Sequence, residues 1–257
     1  NLIVVLLLSG LVTAAVGMIF GIPSLRIKGF YLAVATLAAQ FFLSWLFNKV
    51  PWFVNYTPSG TITAPPREVL GVIMTGPYAT SLSRYFFCLI VVCVFALLAK
   101  NMARGSVGRA WMAIRDMDIA AQLIGFRPFQ VKLLAFSISS FYIGVAGAMM
   151  FALWLGAVET AEAFDINLSF QVLFMVIIGG LGSIAGSFMG AAFIVLMPIL
   201  LTNAMVGGMG MQAVTAKHIE IIIFGSLIIL TLIIEPNGMA RLWQIAKEKL
   251  RLWPFPH

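Results

Sequence analysis

The sequence predicts an all-α integral membrane protein, a polytopic helix bundle of about seven apolar segments, one of them broken or re-entrant at a glycine-rich run. Three observations lead there. The chain of 257 residues is 61% hydrophobic and 10% charged, whereas soluble domains carry about 25% charge. The charges are clumped, with none from Leu133 to Gly156 and none from Asn167 to Ala216. Apolar stretches of this length meet the ~20 residues that an α-helical span requires.

Hydrophobic runs place the spans at Asn1–Phe20, Tyr31–Phe47, Tyr85–Ala99, Lys132–Leu155, Leu168–Leu181, Ile184–Thr202 and His218–Ile234. The fifth is short for a full crossing. Asn1 lies inside an apolar run without an initiator Met or a basic leader, so residues 1–20 do not read as a signal peptide, and the chain is expected to begin within a longer protein. Residues 1–257 read as a single transmembrane domain. Cys88 and Cys93 sit five residues apart in one apolar run, off a common helix face, and read as packing residues. The net charge of +7 suits a membrane protein, since no basic patch interleaved with exposed aromatics points to nucleic acid.

If all seven segments cross, the loops at 21–30, 100–131 and 235–257 share one side. With Lys132 at the edge of the next span they hold twelve Lys and Arg, against four (Lys49, Arg67, Arg84 and Lys217) on the other side. Basic residues concentrate in cytoplasmic loops, so 100–131 and the tail 235–257 are expected inside. The long loop 48–84, rich in proline and glycine with Trp52, Phe53 and Tyr56 at its start, is expected outside, together with Glu159, Glu162 and Asp165. Its composition forbids long helices and suits an aromatic anchor or a landing surface for an external partner.

One polar island, Gly108–Gly125, reads as an amphipathic helix. At helical spacing Ala110, Ile114, Met117, Ala121 and Ile124 share one face, and Arg115, Asp118 and Gln122 another. Gly125 stands where a left-handed C-cap belongs, and Arg127-Pro128 opposes continuation. A second informative run is Gly179-Gly180-Leu181-Gly182-Ser183-Ile184-Ala185-Gly186-Ser187-Phe188-Met189-Gly190. The spacing of Gly182, Gly186 and Gly190 predicts a packing stripe on one helix, and Gly179-Gly180 a break of the kind transporters use around substrate paths. No Gly-Lys-Ser/Thr follows, which excludes a P-loop.

The island and its continuation Phe126–Phe136, with Leu25–Gln40, Ser139–Met149 and Gly179–Gly190, resemble the LivM-type branched-chain amino acid permeases of ABC importers. The resemblance covers most of the chain and implies that the island is the cytoplasmic coupling loop that docks on an ATPase, through Arg115, Asp116, Asp118, Ile119, Ala120, Ala121, Gln122 and Gly125. One departure stands out: Ile119, not glutamate, precedes Ala120-Ala121, so shape carries the docking more than an ion pair does. The resemblance implies that the family's first membrane segments would precede Asn1.

The resemblance further implies a homologous permease partner, two ABC ATPase subunits carrying ATP and Mg, an external solute-binding protein and a bacterial inner-membrane location. The chain itself is expected to bind no cofactor or metal and to perform no catalysis. The residues agree. Ionisable groups at membrane depth, which an ion-coupled secondary transporter needs, are nearly absent, with Glu220 and His218 at the outer mouth of the last span. No Ser/His, paired Asp or metal-ligating constellation suggests an intramembrane enzyme. Thr36, Gln40, Ser140, Tyr142, Gln171, Gly179 and Gly180 are candidates for lining the route, with Ser137 and Ser139 beside them. The expected cargo is a branched-chain amino acid or a related small solute such as an amide, urea or an aromatic acid.

Overall fold

A computed structural model describes residues 1–27, 30–54, 56–57, 60–69, 71–76, 79–159, 165–208, 210–234 and 238–252. Lys28, Pro58, Pro77 and Glu162 lie outside the described residues, as does the side chain of Glu220. The chain divides into two compact units, Asn1–Phe164 and Asp165–His257.

The first unit contains α1 (Leu2–Ser24), α2 (Phe30–Lys49), α3 (Ser81–Arg104), α4 (Ser106–Asp116), α5 (Asp118–Leu123) and α6 (Pro128–Met149), the last continued by a π-helical turn through Leu155. The second contains α7 (Ile166–Gly179), α8 (Ile184–Thr202) with a π-helical turn through Gly208, α9 (Ala213–Ile234) and α10 (Met239–Leu252). Five helices among the described residues are long and apolar enough to cross a membrane: Leu2–Ser24, Tyr31–Lys49, Ser81–Arg104, Pro128–Leu155 and Ile184–Gly208. Each of the seven expected spans coincides with a helix. Pro128 begins α6 at a position where a missing N–H costs nothing.

In the first unit α1 and α6 pack closely because α1 presents Gly10, Gly17 and Gly21, and α6 presents Gly144. Beside Gly17 stands the Ser140 side chain, beside Gly10 and Gly21 the rings of Phe141 and Phe136. The Ser9 hydroxyl donates across the pair to the Gly144 carbonyl at 3.1 Å. At one end of this pair Leu2, Leu6, Val69, Phe87, Val145 and Leu153 form an apolar cluster. Cys88 packs against that cluster, whereas Cys93 is exposed, so only the first is a packing residue; both are free thiols.

The loop 48–84 contains short strands. β1 (Thr61–Thr63) pairs antiparallel with β4 (Ala157–Glu159), setting Thr61 opposite Glu159, and β2 (Glu68–Val69) pairs with β3 (Val72–Ile73) around Gly71 at φ +80°. The β1–β4 ladder joins the two loops that the charge count puts on the same side, which the alternation of spans requires. The buried Thr75 hydroxyl donates to the Pro65 carbonyl at 2.9 Å and accepts from the Arg67 N–H, and the Arg84 guanidinium donates to the Gly76 carbonyl. Such cross-links hold a proline-rich loop in one shape.

In the second unit α7 and α8 form a tight antiparallel hairpin around Ile178 and Ile194, with Ile228 of α9 completing the cluster. Asp165 caps α7 by accepting the Asn167 N–H at 3.2 Å. Hydrogen bonds from the Asn167 side chain and then from its backbone hold the Asp165 carboxyl below the ordinary carboxylate range.

Candidate functional site

The polar island folds as two helices, not one. Met117 is extended (φ −149°, ψ 95°) and separates α4 from α5. That residue redirects the chain, so a face drawn through both helices does not survive. Ala110, Ile114 and Ala121 are buried as the periodicity predicts, but Met117 and Ile124 are 68% and 74% exposed. The C-cap follows expectation closely: Gly125 sits at φ +96°, its N–H bonds the Gln122 carbonyl at 3.0 Å, and the Phe126 N–H bonds the Ala121 carbonyl at 3.1 Å. This is the Schellman arrangement, which satisfies the last carbonyls of a helix.

Two contacts fasten the island to α6. Trp111 Nε1 donates to the Val131 carbonyl at 3.3 Å. Lys132 Nζ donates to Asp118 Oδ2 at 2.9 Å. Asp118 therefore serves as a brace, contrary to its expected place on the presented face, because the bend at Met117 turns it toward α6. Arg115 pairs with its exposed neighbour Asp116 at 2.9 Å. What α5 presents is mainly apolar: Ile119 and Leu123 are 78% and 85% exposed, beside Ile124 and Met117, with Gln122 and Gly125 also at the surface. Ala120 is half-buried and Ala121 is 2% exposed. Of this apolar surface the sequence placed only Ile119 in the docking set, with Met117 and Ile124 expected on the opposite face and Leu123 not singled out; the signal was four large apolar residues within an otherwise polar stretch.

Three of the proposed route residues come together. Thr36, Gln40 and Ser140 line one groove of about 380 Å³ between α1, α2 and α6, with Thr13, Gly17 and Phe136 among its other walls. Its lining is apolar apart from a few hydroxyls and one amide, and the Thr36 hydroxyl already donates to the Ala33 carbonyl of its own helix at 2.9 Å. Tyr142 is elsewhere: its hydroxyl donates to the Phe95 carbonyl at 3.2 Å and its ring stands edge-on to Phe95. Ser137 bonds back to the Leu133 carbonyl and Ser139 to the Phe136 carbonyl, so both hydroxyls serve their own helix. Gly17 and Gly21, which let α1 close one wall of the groove, were overlooked in the sequence although their four-residue spacing is the same packing signal.

In the second unit the break falls where the glycines predict. Gly180 (φ +106°) and Gly182 (φ +88°) leave the helical region, and Ser183 caps α8 by accepting the Gly186 N–H at 3.1 Å. Gly182 thus belongs to the turn and not to a helix stripe, because the capping serine after it starts the next helix. Gly186 and Gly190 do lie on α8, and a Cβ on either would strike the backbone of α7, at Gly179 and Met175. Gln171 is exposed on α7. His218 is exposed. Among the described residues no group of three or more His, Cys, Asp or Glu side chains draws together to hold a metal.

Residues 1–232 match the family described as "Branched-chain amino acid transport system / permease component". The chain is also similar to the high-affinity branched-chain amino acid transport system permease protein LivM of Salmonella typhimurium (28% identical over 252 aligned positions, 90% of this chain and 56% of the relative). Its similarity to LivM of Escherichia coli is 27% over the same shares. The chain therefore spans about half the length of these curated relatives. No solved structure matches it. A family match across nine-tenths of the chain, on a fold of apolar helices that carries the island and the glycine break, has one conclusion: the chain belongs to the permease-component family of branched-chain amino acid transport systems.

Proposed function

We propose that the chain is a transmembrane permease subunit of an ATP-driven importer of the bacterial inner membrane. It pairs there with a homologous permease, receives cargo from an external solute-binding protein and is moved by two separate ATPase subunits that bind ATP and Mg. The observation that carries this reading is α5, a two-turn helix outside the membrane helices. It is braced to α6 by Asp118–Lys132 and exposes Ile119, Leu123 and Ile124 for a partner. A rigidly braced knob of this kind transmits the closure of a partner's cleft to α6 as rigid-body motion. The docking set is Arg115, Asp116, Ile119, Gln122 and Gly125 around the apolar centre, with Ala120 and Ala121 giving the close-packed base and Asp118 the brace.

The groove bounded by Thr36, Gln40 and Ser140 is the first unit's candidate wall of the route. A mostly apolar lining without fixed charge suits a branched-chain amino acid or a similarly small amphipathic solute, held weakly enough to leave. The β1–β4-buttressed outer loop is the landing surface for the binding protein.

The test follows from burial. Ala121→Arg would unseat α5 from beneath, while Gly125→Arg adds bulk at the surface but strains a left-handed residue. Leu123→Glu changes only the exposed face. In proteoliposomes holding the whole transporter, Leu123→Glu is expected to keep the permease in the membrane while ATP hydrolysis and uptake separate, with uptake falling by roughly tenfold or more, the loss of a buried apolar hot spot. Unchanged uptake would reject the docking role. Uptake that survives ATP depletion but follows an ion gradient would instead make the protein a secondary transporter.

A further inference from the structure

Beyond the residues matched to the family lies one more helix, α10. Protein fixes its start. Gly238 has φ +75°, and a Cβ there would meet the Gly180 backbone at 2.5 Å. Met239 packs on the Ile178–Ile194–Ile228 cluster, and the Ala240 methyl lies 3.0 Å from where a Cβ on Gly186 would stand. After this first turn the helix stands clear: Leu242, Trp243 and Leu250 are all exposed.

At helical spacing Met239, Leu242, Trp243, Ala246 and Leu250 fall within an arc of about 100°. Lys247 and Lys249 border that arc on opposite sides, and Arg241 and Glu248 lie across from it. Lys247 Nζ stands 5.5 Å from the Trp243 ring centroid, a cation resting at the edge of the apolar face. Water is a poor partner for this arc, and the fold does bury comparable faces when it can, since α4 closes Ala110 and Ile114 away from solvent. On α10 the cover must come from outside.

Charge and position say what the cover is. Aliphatic stems flanking an apolar arc on both sides let lysines lie along acyl chains while their ammonium groups reach phosphates. Four cationic residues, Arg241, Lys247, Lys249 and Arg251, against the single Glu248 favour an anionic surface. Only residues 235–238 separate the helix from α9, an expected span. We propose that α10 lies in the plane of the inner leaflet, its apolar arc among the acyl chains and Lys247 and Lys249 on the headgroups of anionic phospholipids. The proposal rests on the membrane-permease reading. Because the first turn of α10 sits on the Gly180–Gly186 break, lipid that holds the helix also holds that break.

The test uses the full chain with Cys88→Ala and Cys93→Ala, a nitroxide at Leu250→Cys or Glu248→Cys, and vesicles of phosphatidylcholine alone or mixed with phosphatidylglycerol. With phosphatidylglycerol present, the label at 250 should collide with oxygen several-fold more than with a water-soluble nickel chelate, and the label at 248 the reverse. Lys247→Gln with Lys249→Gln should weaken this dependence on anionic lipid by roughly tenfold or more. Equal chelate access at 250 and 248 overturns the proposal. So does shielding at 250 that ignores both phosphatidylglycerol and the lysines, or that arises only when ATPase subunits are added. A third label at Ile90→Cys, on the exposed side of α3, separates the two readings: if it too meets the chelate freely, the membrane assignment itself fails.

Discussion

The pairs α1 with α6 and α7 with α8 both touch through glycine, and the atoms that fill the glycine gap differ. Along α1 the intruders are side chains: Ser140 at Gly17, Phe136 at Gly21, Phe141 and Val145 at Gly10. Along α8 they are backbone, with Met175 and Gly179 of α7 seated against Gly190 and Gly186. A side chain can rotate or be shortened, whereas a helix backbone can only be displaced as a whole. The first interface is therefore adjustable and the second is rigid, which suits a groove wall in one case and a fixed break in the other.

Substitutions can separate the two kinds of contact. Gly190→Ala should be the most damaging, costing about 3 kcal/mol and lowering the thermal midpoint in detergent, with no single change at Met175 able to rescue it. Gly17→Ala should cost less, about 1–2 kcal/mol. Combining it with Ser140→Gly should cost less than the sum of the two changes, since the intruding atoms leave with the serine. Additive losses at Gly17 and Ser140 would erase the distinction between the pairs. Gly125→Ala should be mildest, about 1 kcal/mol: its φ is +96° but nothing lies within 4 Å of an added Cβ, so the cost is conformational alone.

Local signals were legible in the sequence and distant ones were not. The Gly125 cap, the stop at Arg127-Pro128 and the Gly179–Gly180 break depend on residues within a turn of one another, and composition marks them. The extended Met117 carries no glycine or proline; its geometry answers to the packing of Trp111 and Asp118 on α6, which no periodicity reports. Gly182 looked like part of a stripe because spacing alone cannot tell that Ser183 begins a helix. The β1–β4 pairing joins Thr61 to Glu159 across nearly a hundred residues, beyond the reach of any pattern. Of the route candidates, Thr36, Gln40 and Ser140 converge because α1 has glycines opposite α6, whereas Tyr142 turns away to satisfy its hydroxyl on Phe95.

The fourteen residues of α7 rise about 21 Å, some 9 Å less than a hydrocarbon core of about 30 Å. With Asp165 at the outer headgroups, the opposite end of the helix stops short of the far side of the bilayer, where the first turn of α10 packs on it and the membrane thins or admits water. Gly180 and Gly182 then stand at a depth where the dielectric barrier is already lowered. On the proposed route, a solute crossing beside them would meet a shorter insulating layer than the rest of the bilayer offers, obtained through helix length and not through charge.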